Sequence, residues 1–178
     1  AHAKMFNDLA DKLAPLGMFI GYHAHKHDFE LIEGQSAWDT FFHNTKKEVI
    51  CQLDTSNCRD GGQDPVDVLH RYPGRIRSIH IKPNGGGPEA VIGEDKINWP
   101  GVFEFCETQG NTDWYVVEHE TSKQPLDTVA RTSLLQIQNT QAVRTLGGIS
   151  TLCPALSAAA SLGSRIGGGW MARRTLAA

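Results

Sequence analysis

Four short apolar segments of this chain each end in a pair of residues, two apart, of types that ligate metals or move protons. They are residues 19–25 (FIGYHAH), 49–56 (VICQLDTS), 76–82 (IRSIHIK) and 114–120 (WYVVEHE). A β-strand sends alternate side chains to one face, so each segment presents its pair together near its C-terminal end. The pairs are His23 with His25, Asp54 with Ser56, His80 with Lys82, and Glu118 with Glu120. If the four ends converge, His23, Asp54, His80 and Glu118 surround one point. Two imidazoles and two carboxylates suit a borderline divalent ion. Imidazole favours zinc, cobalt or manganese over magnesium, and the carboxylates keep manganese in play. A bound ion of this kind polarises a carbonyl and acidifies the C–H beside it. A base then removes that proton and a second group returns it. Glu118 suits both ligation and the base role, and Glu120 shares its face.

The elements between these segments decide whether the ends can meet. Apolar positions Met5, Leu9, Leu13 and Leu16 predict a helix over 3–16, with Pro15 and Gly17 near its close. A strand is expected at 18–25, a short helix at 37–44 and a strand at 49–54. Asp64-Pro65 reads as an N-cap with proline at the first helical position, and that helix runs to about Tyr72. A strand over 76–82, a glycine-rich loop from Asn84, a helix over 99–109, a strand over 114–118 and a helix over 125–138 follow. Alternation of this kind argues for parallel βα units, and in α/β barrels the strand C-terminal ends build the site. The expected domain is 1–140. Residues 147–178 are rich in Gly, Ala and Ser and contain no Asp or Glu, so this tail is expected to be disordered.

Composition narrows the function classes. A formal charge of -3 gives no electrostatic case for nucleic acid or an anionic membrane. The longest apolar runs fall far short of the ~20 residues that span a bilayer. Cys51, Cys58, Cys106 and Cys153 form no Cys-x-x-Cys motif, which points to free thiols and a cytoplasmic compartment.

The stretches GYHAHKHDFE (21–30), QLDTSNCRDGGQDP (52–65), YPGRIRSIHIKP (72–83), AVIGEDKINWPGVFEFCE (90–107) and WYVVEHE (114–120) resemble the xylose-isomerase-like sugar phosphate isomerase/epimerase family. The resemblance implies part of a (β/α)8 TIM barrel, about four βα units corresponding to its second half. With position 1 an alanine, the chain reads as a fragment or a processed product. A half barrel leaves open sheet edges, which favours a homo-oligomer. The resemblance implies one divalent metal ion, manganese first and zinc, cobalt or magnesium next, on His23, Asp54, His80 and Glu118. It implies a sugar or keto-sugar substrate, with Glu118 and Lys82 as catalytic groups and His25, Asn57 and Glu120 as substrate-binding groups. Ketose 3-epimerase relatives carry a glutamate where this chain has His23, so the metal is better supported than a two-glutamate epimerase mechanism. A keto-sugar or inosose dehydratase or lyase is the alternative on the same metal site, and a catalytically inactive metal-binding fragment is another.

Each residue also has a plainer reading. His25 can be a surface imidazole, and Asp54 can cap the turn that follows it. Lys82 can be a strand-end lysine with its stem on apolar surface. Asn57 can form an ordinary Asx turn, and Arg77 can pair with an acidic residue outside the site.

Overall fold

A computed structural model describes residues 1–87 and 90–119, the helical positions Thr132 and Leu135, and the backbone of residues 165–166 and 169–173. The chain opens on α1 (His2–Leu13), extended by a 3-10 turn over Ala14–Leu16. That turn closes on Gly17 at φ 67°, a left-handed conformation that glycine adopts without a Cβ penalty. β1 (Gly21–His23) leads through α2 (Lys26–Phe29), the hairpin β2 (Leu31–Ile32) and β3 (Gln35–Ser36), and α3 (Ala37–His43) to β4 (Ile50–Gln52). Next come α4 (Thr55–Asp60), α5 (Pro65–Leu69), β5 (Ser78–Ile81), α6 (Trp99–Thr108) and β6 (Trp114–Glu118). Among the described residues, no helix is long and apolar enough to cross a membrane.

β1, β4, β5 and β6 lie side by side in chain order and run parallel. β1 pairs with β4 and β5 with β6. The two pairs are joined by a bridge between Asp54 and His80 and by bonds from His80 N to Leu53 O and from Cys51 N to Arg75 O, both 2.8 Å. Each of the three steps between these parallel strands is made through helices, so the α/β class and the parallel βα order are observed. Gly21 leaves room for Ile50 of β4 to pack directly against the β1 backbone. A Cβ there would stand 2.2 Å from Ile50 Cγ1 and 2.7 Å from its carbonyl oxygen.

The period of two along the strands divides their side chains between two faces. Cys51, Leu53, Ile79, Ile81, Tyr115 and Val117 join Trp38, Phe42, Leu69, Val102 and Phe103 in one buried core between sheet and helices. His23, Gln52, His80 and Glu118, offset by one residue from those core positions, are only partly buried. Trp38 and Trp99 are packing residues, 1 % and 2 % exposed.

Several boundaries differ from the sequence reading. The strand expected at 18–25 is three residues long, because the chain turns into α2 directly after His25. The helix from Pro65 ends at Leu69 rather than Tyr72. Helix α4 and the β2–β3 hairpin are elements the periodicity did not reveal. The hairpin turns on Glu33 and Gly34, both at positive φ. The helix expected at 125–138 lies outside the described residues except at Thr132 and Leu135. Within the 147–178 tail, β7 (Arg165–Ile166) and β8 (Gly169–Arg173) form a hairpin, with β8 antiparallel against β6. The rest of that tail lies outside the described residues.

Candidate metal centre

Each of the four parallel strands delivers one ligand-type side chain at its C-terminal end. His23 is the last residue of β1, Asp54 follows β4, His80 sits one residue before the end of β5, and Glu118 ends β6. One ligand atom from each lies within 4.8 Å of the others. The convergence expected from the i, i+2 pairs is therefore present in the geometry.

His80 Nδ1 is 2.5 Å from Glu118 Oε2 and 4.0 Å from Asp54 Oδ2. The His23 and His80 rings stand 4.3 Å apart, centroid to centroid. Lys82 Nζ donates to the other oxygen of Glu118, Oε1, at 3.3 Å. Asp54 divides its carboxylate. Oδ1 caps α4 by accepting the Asn57 N–H at 2.7 Å, and Oδ2 faces the cluster. The cap reading of Asp54 is therefore observed, and its second oxygen stays directed at the cluster.

The electrostatics fit a cation. Asp54 is fully buried, and burial pushes its carboxyl up to about 6 from 3.8. His23 is pushed down to about 4 from 6.5, first by burial and then by the neighbouring His80. Glu118 is held down at about 2 from 4.5, chiefly by its hydrogen bond with His80, with Lys82 adding to it. Asp54 Oδ2 and His23 Nδ1 are buried without a hydrogen-bond partner, an arrangement that costs stability unless something satisfies them. A divalent ion held by His23, Asp54, His80 and Glu118 would satisfy both at once. A neutral imidazole and ionised carboxylates are the protonation states ligation requires.

The two orphaned groups oppose each other in pH dependence. Asp54 has a raised folded pKa, so its contribution to stability is greatest below about 4 and is lost as pH rises toward 6. His23 has a depressed folded pKa, so stability is lost as pH falls from 6.5 toward 4. In the wild type the slopes offset over this window. Under chelation, Asp54→Asn should leave a protein whose urea midpoint rises from pH 4.5 to 6.5. His23→Gln should leave one whose midpoint falls over that interval. Equal slopes in both variants would contradict this electrostatic picture.

The remaining predicted residues are placed less uniformly. Lys82 is drawn into the cluster, with its side chain 12 % exposed. His25 is exposed at the start of α2, its ring 5.1 Å from that of His23, and its backbone N–H is bound by Asp28 at 2.8 Å. Asn57 Nδ2 donates to the Ala24 carbonyl at 3.2 Å, tying α4 to the end of β1. Ser56 Oγ accepts from Asn84 at 3.1 Å. Glu120 lies outside the described residues. Arg77 pairs with Asp113 at 2.6 Å, away from the cluster. The Thr55 hydroxyl, which the sequence reading passed over, bonds the backbone of Lys82 on both sides. Its only sequence signal is a hydroxyl directly after the strand-end aspartate.

A sequence model of the xylose isomerase-like TIM barrel family matches residues 2–140. The chain belongs to this family. It is similar to the rhizopine catabolism protein MocC of Rhizobium meliloti, 24 % identical over 139 residues that cover 67 % of this chain and 42 % of that protein. An inosose dehydratase of Geobacillus thermodenitrificans is 29 % identical over 134 residues, covering 64 % of this chain and 44 % of the relative. Among solved structures, a sugar phosphate isomerase/epimerase from Parabacteroides distasonis superimposes with a TM-score of 0.65 at 26 % identity, covering 78 % of this chain and 51 % of that one. An L-ribulose 3-epimerase, at 13 % identity and a TM-score of 0.55, shares the fold. This xylose isomerase-like chain spans about half the length, or somewhat less, of the first three.

Proposed function

We propose that this chain carries the metal-binding half of a divalent-metal-dependent sugar isomerase or epimerase. The observation that carries the reading is the meeting of His23, Asp54, His80 and Glu118 within 4.8 Å, with two of their atoms buried and unpartnered. Manganese suits this donor set first, with zinc, cobalt and magnesium as the other candidates. Once bound, the ion supplies Lewis acidity toward a sugar carbonyl and an adjacent hydroxyl.

The chain's own residues do the rest. The His80 and Lys82 contacts keep Glu118 ionised. That favours ligation over proton abstraction, because a strong base needs a pKa nearer the working pH. Ligation is thus the larger of its two proposed roles. The Lys82 ammonium places a fixed positive charge beside the centre, where a developing oxyanion is stabilised. His25, Asn57 and Glu120 remain the proposed substrate contacts, with Asn57 offering its side-chain oxygen while its nitrogen holds Ala24. The buried thiols of Cys51 and Cys58, which form no disulfide, support a cytoplasmic setting. β1 has one neighbour among the described strands, which supports association through its other edge, as in a homo-oligomer.

A second reading, dehydration of a keto-sugar or inosose, draws support from the inosose dehydratase relatives. Both chemistries begin with loss of the proton beside a carbonyl, and they part at the next step. The manganese-loaded chain should exchange that proton with solvent deuterium on a panel of ketoses and inososes. Exchange without loss of water supports epimerisation, and exchange with an unsaturated product supports dehydration. Neither exchange nor elimination on any member, with metal bound, would sink both.

A further inference from the structure

We infer that Thr55 is a positioning residue that sets Lys82 and, through it, the Glu118 carboxylate at the metal centre. The inference rests on the proposed metal role of that cluster and names how the cluster is kept in shape.

The β5 ladder ends at Ile81, and β4 gives way to α4 after Asp54. Lys82 therefore lies beyond the regular strand pairing, and its backbone groups need partners from elsewhere. Thr55 provides them. Its Oγ1 accepts the Lys82 N–H at 2.9 Å and donates to the Lys82 carbonyl at 2.7 Å, with the His80 carbonyl at 3.3 Å. Thr55 is 0 % exposed, so the latch is shielded from water. The side chain of Lys82 then reaches Glu118 Oε1 at 3.3 Å, while His80 Nδ1 engages Oε2. The carboxylate is thus held at both oxygens, Oε1 by Lys82 and Oε2 by His80. Without the latch, the strand end carrying Lys82 loses its fixed distance to Glu118. Groups that orient a ligand in this way typically contribute 10-fold to 100-fold in metal affinity.

The test measures Mn2+ affinity of the full 178-residue chain and hydrogen exchange of the Lys82 amide. Thr55→Val should weaken Mn2+ binding by about 10-fold and expose the Lys82 amide to exchange, and Thr55→Ser should restore both. Lys82→Met, which keeps the backbone latch, should weaken Mn2+ binding by a similar factor without loss of amide protection. Combined with Lys82→Met, Thr55→Val should add little further loss, because both act through one contact. The inference is overturned if Thr55→Ser is as weak as Thr55→Val, if the two losses multiply in the double variant, or if Lys82→Met binds Mn2+ as the wild type does. Absence of Mn2+ binding by the wild type would instead overturn the metal reading beneath it. In that case, loss of Lys82 amide protection in Thr55→Val alone still shows the latch, and its retention refutes it.

Discussion

Replacing Asp54 by asparagine should weaken Mn2+ binding by at least about 100-fold while leaving the metal-free protein as stable as the wild type, or more so, at pH 7. The two effects have one origin. Asparagine keeps an acceptor oxygen for the Asn57 N–H, so the cap of α4 survives. It removes the charge, which faces the cluster through Oδ2 and has no hydrogen-bond partner there. A shift from 3.8 to about 6 on a fully buried group corresponds to about 3 kcal/mol at most of destabilisation by the ionised form. Loss of that term raises the urea midpoint under chelation, while loss of the anionic ligand lowers metal affinity. A site shaped for binding rather than for stability behaves in this way. A variant that binds Mn2+ normally, or that unfolds at markedly lower urea, would mean that Asp54 serves the helix cap alone.

The second large effect is structural. Arg75→Met should destabilise the domain by about 3–5 kcal/mol, read as a fall in the denaturation midpoint. Arg75 is 8 % exposed, and its guanidinium spends its donors on the chain around α3 and β4. It reaches the carbonyls of Phe42 at 3.0 Å, Lys46 at 2.8 Å and Val49 at 2.8 Å, and Thr45 Oγ1 at 2.8 Å. It also lies over the Phe42 ring, 5.0 Å from its centroid. These bonds bind the start of β5 to the start of β4, the two strands that carry His80 and Asp54. Methionine fills much of the volume but leaves buried carbonyls without this donor. Arg77→Met provides the contrast. Its bond to Asp113 is short, yet both side chains are about a third exposed, and its loss should cost about 1 kcal/mol or less. Equal losses from the two arginines would contradict this account.

The sequence makes these arginines look alike, since both precede the same strand at a spacing of two. What separates them is the company of α3 and β4, brought in from 26 to 33 positions away. The four ligand-type residues were legible for the opposite reason. Strand periodicity is local, and a polar residue at the end of an apolar run stands out whatever the rest of the chain does. The parallel βα order followed from the same local signals. Asp54 was only half legible. A carboxylate after a strand suits a cap or a site, and only the fold shows that one oxygen caps α4 while the other faces the cluster. Helix α4 was hidden because TSNCRD has no apolar stripe, and its start is fixed by the Asp54 cap rather than by periodicity. The hairpin at Leu31–Ser36 was hidden by its two-residue strands. The bonds of Asn57 to Ala24 and of Thr55 to Lys82 could not be read from spacing, because those partners lie just past the ends of β1 and β5, 33 and 27 positions away.

The central claim is that His23, Asp54, His80 and Glu118 together hold one divalent ion. Titration of the metal-free 178-residue chain with Mn2+, following free Mn2+ by electron paramagnetic resonance, tests it most directly. The account predicts one equivalent taken up per chain, and loss of that uptake in His80→Ala. No uptake by the wild type, or uptake unchanged by His80→Ala, would contradict it.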